Sequence, residues 1–157
     1  MKNKILASAL TLAIVILSLC SCELIFGDVA ETGDVTVVIE NTDGSYDVFE
    51  VDLEKVENKS EGAKGILEYL SKGSDPLYVD MADSSYGAYV SAIGNIRENT
   101  AEGKYVIVYT SVAADSYEGA PTVQYKDVTM YQAGVGLSGM SVEVGTIILF
   151  RLEVSPY

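Results

Sequence analysis

The residue types that carry out most catalysis are scarce in this 157-residue chain, which contains no histidine and only two cysteines. Without histidine there is no imidazole acid or base, no Ser-His or Cys-His nucleophile pair, and no zinc site built on histidine. Acidic residues are abundant, but no pair of them has a pattern that identifies two opposed catalytic carboxylates. We therefore expect a protein that is not an enzyme and that holds no cofactor.

Two short segments have the oxygen-rich composition of a calcium site. They are residues 41–44 (NTDG) and residues 80–84 (DMADS). Neither has the Asp-x-Asp-x-Asp-Gly order with a later Glu that identifies a calcium loop. Because Asp-Gly is also a favoured hairpin turn, we predict no metal site here.

Tyrosine is the unusual chemistry-bearing residue, with 11 copies against three phenylalanines. A tyrosine offers a flat apolar face and a polar tip, which suits a ligand-binding surface, but it also has a high preference for ordinary β-strands. For most of the tyrosines the strand interpretation is favoured. Tyr86 is the exception, since it precedes Gly87 in an expected loop, and loops carry function more often than strand interiors do.

The formal net charge of −13 excludes nucleic acid as a partner. Binding a phosphate backbone depends on clustered Lys and Arg side chains that release counterions. This chain has 10 basic residues against 23 acidic ones, so cationic or neutral partners are favoured instead.

The first residues have the pattern of an export signal. Lys2 and Lys4 precede 18 residues without charge, from position 5 to position 22. The end of this stretch, LCSC at residues 19–22, resembles the bacterial lipobox, which implies that residues 1–21 are a lipoprotein signal peptide and that diacylglycerol is attached to the sulfur of Cys22. The alternative is an uncleaved helix, because 18 uncharged residues are just enough to span a bilayer. We expect a lipid-anchored, extracytoplasmic protein at the cell membrane.

The mature chain divides into a tether, residues 22–33, and one α+β domain, residues 34–157. A hairpin is predicted from strands at residues 34–41 and 46–53, joined by an Asp-Gly turn. One helix follows, with an apolar stripe at Ala63, Ile66, Leu67 and Leu70. Asn58 and Glu61 have the spacing of an N-terminal capping pair, and the helix should end at Lys72 and Gly73. Further strands are predicted at residues 77–81, 89–93, 104–112, 122–131 and 146–154.

A hairpin crossed by one helix and followed by further strands is the layout of the ubiquitin-like β-grasp. Within it, residues 86–95 (YGAYVSAIGN), 103–109 (GKYVIVY) and 134–137 (GVGL) resemble successive motifs of the transcobalamin-like C-terminal domain family. Val106 replaces the strand tryptophan of that family, and a long insert, residues 113–125, separates the motifs. The resemblance implies an α+β fold with one packed helix and mostly antiparallel strands, and a ligand-binding role.

If the ligand is a small molecule, we expect a concave, tyrosine-lined surface beside residues 86–95 and 134–137. The candidate ligand-binding residues are Tyr86, Gly87, Tyr89, Gly94, Asn95, Tyr109, Gly134 and Gly136. The ligand that the family suggests is a corrinoid, so a small-molecule capture or uptake accessory is the first hypothesis. The helical barrel that accompanies this domain in the vitamin B12 carriers is not encoded in this chain. A protein-interaction or envelope-structural module, pairing with a surface protein through a sheet edge, remains the alternative.

Overall fold

The computed structural model describes residues 27–154, which form one α-helix and nine β-strands. The helix α1 is Gly62–Ser71. The strands are β1 (Asp34–Glu40), β2 (Tyr46–Asp52), β3 (Val79–Ser84), β4 (Gly87–Ile93), β5 (Ile96–Arg97), β6 (Lys104–Thr110), β7 (Thr122–Tyr125), β8 (Val128–Gln132) and β9 (Ile147–Val154). The predicted α+β architecture, with an N-terminal hairpin, one packed helix and mostly antiparallel strands, is confirmed. No helix among these residues is long and apolar enough to cross a membrane.

Six strands form one sheet in the order β2-β1-β9-β6-β8-β7, and β3, β4 and β5 form a second. Every neighbouring pair is antiparallel except β1 and β9, which are parallel, with Val38 opposite Leu149. The first and last strands of the described residues are therefore adjacent interior strands of the larger sheet.

The central strands are buried on both faces, which explains why their sequences are runs of β-branched residues. Alternate side chains of β1 and β9 face a main core, and Val38 and Leu149 face a second, smaller core. The main core lies between the larger sheet and the layer of α1 with the three-stranded sheet. Its members from that layer include Ile66, Leu67 and Val90.

The larger sheet curls over the second core. Tyr46 on β2 and Tyr125 on β7 belong to opposite edge strands, yet their ring centroids are 5.2 Å apart in an edge-to-face arrangement with an interplanar angle of 71°. Tyr109, Met130 and Leu149 are buried beneath this contact. The curl thus turns an open sheet into a nearly closed one without a hydrogen-bonded ladder between its edges.

The predicted apolar stripe of the helix is confirmed, but the predicted capping pair is wrong. Ala63, Ile66 and Leu67 are buried, whereas α1 begins only at Gly62 and the side chain of Asn58 caps nothing. Instead the Asn58 amide donates to Glu68, 3.1 Å away on the helix itself. The preceding chain crosses close to the helix, and a Cβ at Gly65 would overlap the backbone carbonyl of Asn58. That close approach requires glycine at a position where the sequence suggests only a poor helix former.

Two strand predictions are corrected. The strand predicted at residues 77–81 lies later, at Val79–Ser84. The single strand predicted at residues 122–131 is a hairpin, β7 and β8, with a two-residue turn at Lys126 and Asp127. Lys126 has φ of 51°, a left-handed conformation that is uncommon for lysine, so the turn lacks the Asn-Gly or Asp-Gly signal that would have revealed it.

Part of the segment assigned to the tether packs against the domain. Val29 forms a parallel bridge with Val142, and the Ala30 amide donates to the Val142 carbonyl at 2.7 Å. Val29 and Ala30 also contact the main core. The ordered body of the protein therefore includes residues before position 34.

The crossing of Gly65 and Asn58 leads to a test of helix docking. Gly65→Ala should lower the free energy of unfolding by about 1–3 kcal/mol, because its methyl group would push the helix away from the chain that crosses it. The measurement is urea unfolding of the purified full-length chain. Gly73→Ala is the matched control, since the nearest atom to its Cβ would be 3.7 Å away, and it should leave stability unchanged or slightly raised. Equal effects of the two substitutions on the free energy of unfolding would contradict the close approach of Gly65 to Asn58.

Candidate functional site

A groove opens where the two sheets diverge. β6 pairs with β8 only at Tyr109 and Thr110, and β4 pairs with β5 only at Ala92 and Ile93. The remaining parts of β4 and β6 face each other without a ladder between them. The space between them is a groove of about 480 Å³ that is open to solvent.

The groove is mainly apolar. Its strand-derived lining includes Ala88, Val90, Val106, Ile107 and Val108. Val90 and Val106 are also buried members of the main core, so the floor of the groove is formed by the edge of that core. Asp83 is the one carboxylate among the lining residues, and no Lys or Arg lines the groove.

A contact between two glycines closes one end of the groove. Gly87, at the start of β4, and Gly136, in the loop after β8, pack so closely that a Cβ on Gly87 would lie 2.9 Å from the Cα of Gly136. The Gly136 amide donates to the Tyr86 carbonyl at 3.1 Å, and the Ala88 amide donates to the Ser138 hydroxyl at 2.9 Å. These bonds fix the β3–β4 hairpin against the loop. Gly87 and Gly136 are therefore needed for backbone packing, and they sit beside the groove for that reason.

Asp115 holds the same loop from the other side. This residue is 6% exposed, and its carboxylate accepts hydrogen bonds from the amide and the hydroxyl of Ser141, each at 2.8 Å. Its backbone carbonyl accepts from the Gly134 amide at 2.8 Å. Asp115 thus anchors both ends of the loop that spans residues 134–141. A buried carboxylate with all these partners acts as a clamp.

Exposed aromatic side chains surround the groove. Tyr86 is 88% exposed at the hairpin tip, and Tyr89 is 43% exposed on β4. Tyr117 lies against Gly134, with its hydroxyl 3.4 Å from the Gln132 side chain, and Val135 is exposed beside it. Burial raises the pKa of Tyr89, and the neighbouring Glu98 carboxylate raises it further, so this phenol stays protonated. Large apolar side chains left in water around a concave surface are typical of a binding site.

The structure brings five of the eight candidate residues together at the groove: Tyr86, Gly87, Tyr89, Gly134 and Gly136. Gly94 and Asn95 form the turn between β4 and β5 instead, where Gly94 has φ of 54° and packs against Ile39. Tyr109 is buried in the second core, where its hydroxyl donates to Glu153 at 2.9 Å. Its pKa is raised by burial and by that carboxylate. Cys22 lies outside the described residues.

The residues that sequence reasoning missed come from β3 and from the loop clamp. Ala82, Asp83 and Ser84 line the groove because β3 runs three residues further than predicted. Asp115 and Ser138 were missed because their partners are distant in sequence, at separations of 26 and 50 residues. In the sequence, the only sign of a role for Asp115 is that an acidic residue lies within the long insert at residues 113–125.

The acidic segments considered for calcium have other roles. The carboxylate of Asp43 accepts hydrogen bonds from the hydroxyl and amide of Ser45, which lower its pKa, within the β1–β2 turn. Asp80 lies 3.7 Å from Arg97, and Asp83 lies 3.2 Å from Lys64. Across residues 27–154, no three acidic or cysteine side chains converge in a way that could hold a metal ion.

Comparison with known proteins identifies the fold. The sequence matches no protein-family profile and no curated protein. Among solved structures, it is similar to a proposed metal-binding protein from Ruminococcus gnavus, with a TM-score of 0.53 and 14% identity over 78% of this chain and 98% of the other. It is also similar to haptocorrin in complex with Cbi (cobinamide), with a TM-score of 0.54 and 13% identity over 78% of this chain.

The match covers 25% of haptocorrin, so this chain spans about a quarter of the length of that protein. At these identities the likeness establishes a shared fold. The chain therefore has a transcobalamin-like fold, in agreement with the family resemblance of its sequence motifs.

The glycine contact leads to a test of how the groove is built. Gly136→Ala should lower the free energy of unfolding by about 1–3 kcal/mol, because its methyl group would overlap the Tyr86 carbonyl and separate the hairpin from the loop. Val135→Ala, at an exposed neighbouring position, should change it by no more than about 0.5 kcal/mol. Urea unfolding of the full-length chain measures both. A Gly136→Ala variant as stable as Val135→Ala would show that the two glycines do not hold the groove together.

Proposed function

We propose that this chain is a non-catalytic binding protein that takes a small molecule in the groove between β4 and β6. The observation that carries the proposal is a mainly apolar groove of about 480 Å³, ringed by exposed tyrosines. Small-molecule sites are concave, mostly apolar and about 300–1,000 Å³ in volume, with few polar groups. The groove has all of these properties.

A corrinoid is the ligand to test first. Haptocorrin, which shares the fold, is described in complex with cobinamide. The groove is open on one side, so a molecule larger than its volume can rest against the tyrosine rim with part of its surface in water. The absence of a helical-barrel partner domain in residues 27–154 would leave that surface uncovered, and a corrinoid would be held on one face only.

Cobinamide and cobalamin binding to the full-length chain in zwitterionic nanodiscs tests this proposal, with empty nanodiscs as the blank. Saturable binding should be weakened about fivefold or more by Tyr86→Ala or by Tyr89→Ala, since each removes an aromatic contact. Tyr78→Ala is the matched control, because Tyr78 is 52% exposed just before β3 and does not line the groove. Absence of saturable binding, or equal loss in all three variants, would contradict a corrinoid site at the groove.

A second candidate function is docking of a protein strand on β2. This strand is an edge of the larger sheet, and it exposes Tyr46 and Val48, at 45% and 46%. An exposed edge with apolar side chains can accept an additional strand. Asp47, Glu50 and Asp52 on the same strand add charges of the kind that discourage such pairing, so the groove is the stronger candidate.

Lipid attachment at Cys22 is part of the same proposal, since it would hold the binding domain outside the cell membrane. Expression of the chain in a bacterium with metabolic labelling by an alkyne-tagged fatty acid tests it. The unaltered chain should be labelled and found in the membrane fraction, and Cys22→Ser should lose the label. Cys20→Ser should keep it, because Cys20 is preceded by a bulky leucine and fits the lipobox less well. Labelling that survives Cys22→Ser would contradict the assignment.

A further inference from the structure

Negatively charged side chains outnumber positively charged ones around the groove. Asp83 lies on the groove wall, and its nearest cation is Lys64 on α1, at 3.2 Å. Lys64 is shared with Glu61 at 2.8 Å and with Glu68 at 4.0 Å. Glu68 also lies 3.8 Å from Lys72, so three carboxylates meet two ammonium groups, and this cluster beside the groove keeps a net negative charge.

Lys64 cannot offset that excess any further. Its hydrogen bonds to Glu61 and then to Asp83 raise its pKa to about 12, so it is already fully charged at neutral pH. The net charge of the cluster around Lys64 therefore stays negative even though Lys64 is fully protonated. The side chain of Asp83 is 77% exposed, so its carboxylate is open to a further cation.

A carboxylate outside the groove lining adds to the same field. Glu98 lies beside Tyr89, and its carboxylate accepts a hydrogen bond from the Val106 amide at 3.1 Å. No Lys or Arg lines the groove, and the chain carries a net charge of −13. An anionic ligand would meet repulsion here, whereas a cationic one would be attracted.

The aromatic rim favours the same sign of charge. Tyr86 and Asp83 belong to the same β3–β4 hairpin, with Asp83 on the strand and Tyr86 in its turn. The faces of tyrosine rings attract cations, most of all weakly hydrated ones such as quaternary ammonium groups. The mouth of the apolar groove therefore offers a cation two attractions. One is the negative charge of Asp83, and the other is the cation–π interaction with the exposed tyrosine rings.

From this arrangement we infer that the groove selects an amphipathic cation: a molecule whose apolar part lies on the valine floor and whose substituted ammonium or similar delocalised positive group lies between Asp83 and the tyrosine rim. This inference rests on the proposed binding function and names the chemical class of its ligand. It predicts weak binding of molecules of the same size that carry a net negative charge.

Three probes with a common phenylpropyl group test the inference: 3-phenylpropyltrimethylammonium, 3-phenylpropanol and 3-phenylpropanesulfonate. Their dissociation constants are measured by equilibrium dialysis against the full-length chain in zwitterionic nanodiscs, with empty nanodiscs as the blank. The dissociation constant of the cation should be at least about fivefold lower than that of the alcohol, and the sulfonate should bind more weakly than both. The preference for the cation should shrink as salt is added.

Substitutions identify the residues that produce the preference for the cation. Asp83→Asn should weaken binding of the cation about threefold and leave the alcohol unchanged, because the lost attraction is that of one exposed carboxylate. Tyr86→Phe should keep the preference for the cation, and Tyr86→Leu should reduce it. Asp127→Asn is the matched control, since Asp127 is exposed in the β7–β8 turn and does not line the groove.

The outcomes separate the two proposals. Equal binding of the cation and the alcohol, both weakened by Tyr86→Leu, would overturn the charge selection and leave the proposed small-molecule function standing. A preference for the cation that is unaffected by Asp83→Asn and by Tyr86→Leu would overturn the assignment of that selection to this groove. Failure of all three probes to bind would contradict both proposals for ligands of this size.

Discussion

The parallel pairing of β1 with β9 is the constraint on which the rest of the structure depends. These two strands are central in the larger sheet and are buried on both faces, so each must place apolar side chains toward two cores at once. Their pairing places the first and last strands of the domain side by side, and it commits β9 to β1 on one side and to β6 on the other. The remaining strands can add only at the outer edges.

The groove is a consequence of that arrangement. Because β6 is fully paired with β9 but pairs with β8 at only two residues, the other part of its free edge faces β4 of the second sheet. The two sheets share the main core beneath, so they stay close while their edges remain unpaired. The glycine contact at Gly87 and Gly136, together with the Asp115 clamp, then fixes the loop that closes the end of the groove.

The sequence predicts what is local and periodic in this fold. The β-branched run of β1, the Asp-Gly turn and the apolar stripe of α1 each have a spacing that points to one element. The glycine motifs also identify the part of the chain that forms the groove. The physical reason is the close approach of two backbones at Gly87 and Gly136, and not contact of these glycines with a ligand. Gly94 fits the same explanation as a turn residue with a left-handed conformation.

What the sequence does not reveal depends on contacts between distant residues. Nothing near Tyr109 in the chain distinguishes it from the exposed tyrosines, and only the curl of the sheet places it in the second core. The β7–β8 turn relies on a lysine in a left-handed conformation, which carries no residue signal. Asp83 becomes a groove residue only because β3 extends past its predicted end, so the charge of the site is a property of the fold.

The most direct measurement of whether the groove is the binding surface is mapping of backbone amide chemical shifts in the full-length chain during titration with cobinamide. Binding at the groove predicts that the perturbed amides cluster in residues 86–90, 106–108 and 132–137. Perturbations confined instead to residues 40–44 and 151–154, which line a smaller polar cavity at the far end of β1, would contradict it.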